Sequence, residues 1–132
     1  MTAKHMLAVG SAIAFLLGAF MIFATTQFLE PLGLSGDPKV ALLGQAQGTL
    51  LLSIGLTNWL VRRSDDQAAL QAVLAGNLAA QVISIAINLR GYFAGLVPQA
   101  VVGQAGLHVL LGLGYAYFLI RQPRVVERTN PA

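Results

Sequence analysis

MLAVGSAIAFLLGAFMIFATT, running from Met6 to Thr26, contains no charged side chain, and its reading decides the fold. A hydrocarbon core about 30 Å thick takes about 20 apolar residues to cross as a helix, and this run is long enough. Three further stretches qualify: about Val40–Val61, set between Lys39 and the pair Arg62-Arg63, then about Ala68–Leu89, then about Ala100–Ile120. The first run exceeds the roughly 7–15 apolar residues of a secretory leader, and no Ala-x-Ala cleavage site follows it, so it is read as a retained helix.

Composition points the same way. Of 132 residues, 56% are hydrophobic and only 10% charged, with a mean hydropathy of +0.70; an ordinary soluble domain carries roughly 25% charged residues. A soluble globular domain and a disordered chain are thereby excluded. So is a nucleic-acid binder: despite a formal charge of +3, the eight Lys and Arg are too scattered to track a phosphate backbone. With no cysteine there are no disulfides and no thiolate metal sites. Backbone polar groups in lipid must be satisfied within the segment, and no alternating strand pattern suggests a barrel. The expected fold class is therefore an all-α integral membrane protein, an up-down-up-down four-transmembrane-helix bundle. Residues 1–120 form its single domain, and 121–132 form a polar cytoplasmic tail. Loops are expected at Pro31, Gly33, Gly36 and Pro38, and again at Gly91, Gly95 and Pro98. Ser64-Asp65-Asp66-Gln67 reads as a capped, acidic start to the third helix.

Short loops rich in Lys and Arg stay in the cytoplasm. With an inner N-terminus, Lys4, Arg62, Arg63, Arg121, Arg124 and Arg128 lie inside, while Lys39 and Arg90 lie outside. Six against two selects N-in/C-in. Phe28, Tyr92 and Phe93 then form an outer aromatic belt, and Trp59, Tyr117 and Phe118 an inner one. The inner arginines also suit anionic lipid.

Polar residues inside the spans carry the functional reading. In the third helix Asn77, Gln81, Ser84 and Asn88 recur at i, i+4, i+7 and i+11, a stripe about 60° wide at 3.6 residues per turn. In the fourth, Gln104, His108 and Tyr115 share one face. Amides and imidazole are costly against lipid, so both stripes should face the interior or a water-filled cavity. Ser84, Asn88, Gln104 and His108 fall in the outer half, level with Gln45 and Gln47 on the second helix and Thr25 and Thr26 on the first. Either these groups hydrogen-bond one another between helices, or they line an outward-facing crevice for a lipid-like or small polar, amphipathic ligand. No Asp or Glu lies in any span, which argues against coupled transport.

His108 and His5 belong to opposite surfaces, so they cannot ligate one haem, and a single histidine without carboxylates builds no metal site. His108 is either a structural hydrogen-bonding group or a ligand contact. Arg90 is either a rim cation near Glu30 and Asp37 or an anchor for an anionic headgroup. Gly44, Gly48 and Gly55 lie within about 40° of one another on the second helix; they serve close packing within the chain or a homodimer seam. No P-loop, Gly-x-Ser-x-Gly or His-Glu-x-x-His sequence occurs, so no enzymatic activity, catalytic residue or cofactor is expected.

GQAQGTLLLSIGLTNWLVRR (Gly44–Arg63), the Gly76-Asn77 pair and HVLLGLGYAYF (His108–Phe118) resemble, in layout, a broad set of small uncharacterised four-span bacterial inner-membrane proteins. That resemblance implies a bacterial inner membrane and a four-helix bundle, with no catalytic residue to carry over. Two functional classes follow. The first is a structural or interaction protein, a homo-oligomer or accessory subunit of another membrane protein, packing through its small-residue faces. The alternative is a binding or transport protein using the crevice. Membrane lipids are partners in both.

Overall fold

The computed structural model describes residues 2–122, so the tail from Pro123 onward lies outside the described residues, Arg124 and Arg128 with it. The described residues form helices and connecting turns: α1 (Ala3–Phe23), α2 (Thr25–Leu29), a 3-10 turn (Glu30–Leu32), α3 (Pro38–Val61), α4 (Gln67–Phe93) and α5 (Ala100–Arg121). α1, α3, α4 and α5 are long and apolar enough to cross a membrane. Their outer faces carry large apolar side chains such as Leu16, Phe23, Leu42, Ile87, Leu110 and Ile120, all mostly exposed.

Helix starts follow local chemistry. Thr2 caps α1 in a reciprocal box: its hydroxyl accepts from His5 N–H, and His5 Nδ1 accepts from Thr2 N–H at 3.2 Å. His5 is thereby a capping residue. Asp37 caps α3 through Lys39 N–H at 2.8 Å, with Pro38 as the first helical residue. The Asp66 carboxylate caps α4 through Ala68 and Ala69 N–H at 2.8 and 3.3 Å, and Ser64 Oγ accepts from Asp66 N–H. Gly33, Gly36 and Gly95 take positive φ values of 68°, 105° and 66° in the turns, which favour glycine.

Two boundaries depart from expectation. The first span is not one helix to Thr26. It breaks at Ala24 (φ −132°, ψ 46°), where the Thr25 hydroxyl donates back to Met21 C=O at 2.6 Å and loosens the helical ladder. The T-shaped ring contact of Phe20 with Phe28, 5.9 Å between centroids, holds α2 against α1 across that break. Gly91, expected in a loop, is instead inside α4, which runs a turn past Leu89; its missing side chain leaves room for Val97.

The four long helices form two closely packed pairs, α1 with α3 and α4 with α5, which touch each other far less. Contacts between α1 and α3 climb one helix as they descend the other. Ser11 Oγ donates to Gly55 C=O at 2.7 Å, the Phe15 ring covers Gly55, and Gly18 meets Gly48. A Cβ added at Gly48 would lie 2.8 Å from the Gly18 carbonyl oxygen, and one added at Gly18 would lie 2.8 Å from that of Gly48. A Cβ at Gly44 would stand 3.3 Å from Thr25. The glycine face of α3 is therefore filled by α1 and α2.

The two pairs are joined at one end. Leu7, Leu70 and Leu74, each at most 1% exposed, pack with Ala3, Met6 and Tyr115. Lys4 Nζ reaches Asp65 Oδ1 at 2.8 Å, and this contact holds the Asp65 carboxyl below the usual carboxylate range. At the same end the Arg62 guanidinium lies 3.5 Å over the Trp59 ring.

Gly48→Ala should destabilise the protein by about 1–3 kcal/mol through overpacking against backbone. Gly76 faces open space, and Gly76→Ala should be neutral or stabilising by up to about 1 kcal/mol. Thermal unfolding of both variants in detergent measures the contrast; equal effects would mean that α1 and α3 are not in backbone contact.

Candidate functional site

Away from the leucine cluster, the space between the pairs is hollow. An inner cavity of about 170 Å³ is bounded by Gly10, Asn58, Asn77, Gln81, His108 and Tyr115, among others. It shares Leu17, Gln47, Leu51, Ser84, Leu107 and His108 with a larger cavity of about 380 Å³ that reaches Phe28, Asn88 and Gln104. The two form one tract, floored by Tyr115, itself part of the leucine cluster, and reaching Phe28, Asn88 and Gln104 near the turns that follow α2 and α4.

Polar side chains line this tract in two different states. Some are paired between helices: Asn77 Nδ2 donates to Asn58 Oδ1 at 2.7 Å, joining α4 to α3, and His108 Nδ1 stands 2.6 Å from Gln81 Oε1, joining α5 to α4. The amide oxygen can only accept, so this contact places the proton on Nδ1 and leaves Nε2 of a neutral imidazole as an acceptor. Others are unpaired. Among the described residues, Gln47, Ser84, Asn88 and Gln104 take part in no side-chain hydrogen bond, and each borders the larger cavity. Asn58 combines both states. Its oxygen is taken by Asn77, whereas its Nδ2, in a side chain 1% exposed, has no partner in full hydrogen-bond geometry and only the Tyr115 hydroxyl close by. The Tyr115 hydroxyl adjoins that amide over Gly10, where the absence of a side chain makes room for it.

Of the residues singled out from sequence, Asn77, Gln81, Ser84, Asn88, Gln104, His108 and Tyr115 border the tract. Two do not. Gln45 is exposed and borders none of the cavities, its place being taken by Gln47. Arg90 is exposed in the last turn of α4, away from the cavities, and makes no ion pair among the described residues. Asn58 was not anticipated. Its signal lay in register: it falls on the face of Gly44, Gly48 and Gly55, three residues past the last of them. No group of three or more His, Asp or Glu side chains occurs among the described residues.

Comparison with protein-family models, curated proteins and solved structures gives no significant match. The residues themselves carry the functional reading.

A double-mutant cycle tests the Asn58–Asn77 bond. Interhelical hydrogen bonds of this kind couple by about 0.6 kcal/mol and at most about 1.7 kcal/mol in membranes. Asn58→Leu and Asn77→Leu should each destabilise, and the double variant should lose less than the sum, by an amount in that range. Strict additivity would show the bond to be absent in the folded protein.

Proposed function

We propose that this chain is a non-enzymatic, multi-pass protein of a bacterial inner membrane that holds a small amphipathic or lipid-like molecule between its two helix pairs. The observation that carries the reading is the unpaired state of half-buried Ser84 and Asn88, with exposed Gln47 and Gln104 beside them, around a cavity of about 380 Å³. Side chains that serve only to bind helices together would be spent on one another, as the Asn77 amide is on the Asn58 oxygen. A polar group beside an apolar cavity that lacks such a partner gains most from a ligand. The apolar cluster of Leu7, Leu70 and Leu74 closes the other end, which favours holding over conduction.

A homo-oligomer formed through the α3 glycines is the weaker reading, because α1 and α2 already fill that face. In the membrane we place the helices up-down-up-down with both termini in the cytoplasm, on the strength of Lys4, Arg62, Arg63 and Arg121. The larger cavity then lies in the outer half of the membrane.

Native mass spectrometry of protein extracted gently from its own membranes tests the function. A discrete small molecule should accompany the wild type and be lost from His108→Leu without loss of the fold. A bare homo-oligomer, or a stoichiometric complex with another membrane protein and no small molecule, would overturn the proposal. Orientation is tested separately, since the chain has no native cysteine. Ser35→Cys, in the exposed turn before α3, should react with an impermeant thiol reagent on intact cells, and Gln67→Cys, at the start of α4, should not. The reverse pattern would place the larger cavity in the cytoplasmic half.

A further inference from the structure

We infer that the molecule held is a neutral lipophile bearing a carbonyl oxygen, that it is admitted sideways from the bilayer between α3 and α4, and that Asn58 Nδ2 donates to its oxygen. This rests on the ligand-holding reading above and adds the chemistry of the ligand and its route.

The route comes from the weak contact of α3 with α4. A groove of about 470 Å³ runs between them on the outer face of the bundle, walled by Leu50, Ile54, Val73 and Gly76. Gln47, Asn58 and Asn77 border both this groove and the inner cavity, so only the side chains of these residues, with the Asn58–Asn77 bond among them, part the groove from the polar floor. Leu50 and Ile54 are 58% and 39% exposed beside the groove. Exposed Gln47, Ser53 and Thr57 border it too, but the Ser53 and Thr57 hydroxyls donate to the Thr49 and Ser53 carbonyls of their own helix, so the wall offered to a lipid chain is mostly apolar.

The charge state comes from the walls. Among the described residues, no Asp, Glu, Lys or Arg borders the groove or either cavity. An ionised headgroup would be taken out of water with no counter-charge, which strongly disfavours it. The acceptor comes from Asn58. The nearest oxygen to this buried N–H group is the Tyr115 hydroxyl, which falls short of full hydrogen-bond geometry; a better-placed carbonyl oxygen completes the bond, and it enters the groove at far lower cost than an ionised one. Size agrees. An apolar cavity of about 150 Å³ accommodates benzene, so the inner cavity, at about 170 Å³, suits a ring or an ester group with its tail in the groove. A quinone ring and a glyceride ester both present this chemistry.

The test uses full-length protein in detergent and four probes: decylbenzoquinone, dioleoylglycerol, decylbenzene as a tail-matched probe without oxygen, and phosphatidylglycerol as a charged one. Binding is read by native mass spectrometry and by thermal stabilisation. At least one carbonyl probe should bind tenfold or more tighter than decylbenzene, and which of the two does so identifies the source. Asn58→Leu should abolish that preference. Gly76→Trp, set in open space on the groove wall, should slow association tenfold or more while leaving the fold unchanged. Should Asn58→Leu fail to fold, the wild-type comparison of decylbenzoquinone and dioleoylglycerol with decylbenzene decides the carbonyl assignment alone. Equal binding of decylbenzene, as when a water satisfies Asn58, overturns the carbonyl. Unchanged association with Gly76→Trp overturns the route. Retention of phosphatidylglycerol alone overturns the neutral class but leaves the holding function intact. If none of the four binds and no small molecule co-purifies, the holding function itself fails.

Discussion

Where Gly18 and Gly48 meet, two helix backbones lie so close that a single added carbon on either would collide with the other's carbonyl oxygen. Contact of this intimacy needs residues without side chains, and it is the main way two helices can attract each other where the solvent is as apolar as they are. It fixes α1 and α3 as one unit. α4 and α5 form the other, and the two differ in what they present to each other: α4 turns its amide stripe inward and α5 its histidine. Neither stripe could lie against the glycine face, which α1 already occupies. The polar residues are thus confined to the gap between the units, and the gap is left partly empty because amide side chains from three helices meet there without all finding partners.

The division of labour within that gap follows depth along the helices. Near the leucine cluster, space is short and polar atoms are brought into bonding distance, as with Asn58 and Asn77. Farther along, the helices enclose more room, and Ser84, Asn88 and Gln104 stand across a void. The same residue types act as fastening at one level and as lining at another. What separates the two roles is the distance between helices, and the residues alone do not disclose it.

That explains how much could be read from the chain itself. The four long helices were legible because hydropathy over about 20 residues is a sum, insensitive to any single position. The α4 stripe was legible because four polar residues in one register leave only one face for burial. The break at Ala24 was not, since it turns on one Thr25 hydroxyl competing for a backbone carbonyl. Nor was the choice between Gln45 and Gln47. At 100° per residue they flank the glycine face on opposite sides, and which side α4 takes is a property of the bundle's handedness, not of periodicity. Asn58 escaped notice because a lone amide beside Trp59 and two turns of apolar sequence resembles an interfacial residue. Its position on the glycine face was the clue.

The tightest fastening of the two units lies at one end, and this has a mechanical consequence. Leu7, Leu70 and Leu74, with the Lys4–Asp65 contact, tie the units together there. From Leu74 to Asn88 a helix rising about 1.5 Å per residue covers about 21 Å. A swing of about 5° about the fastened end therefore displaces the far rim by about 2 Å, by lever geometry over that length, while the leucines barely move. Such a lever turns small rotations into a change in width at the far rim without disturbing the core, and what resists it there is the lighter contact of α5 with the 3-10 turn at Glu30–Leu32.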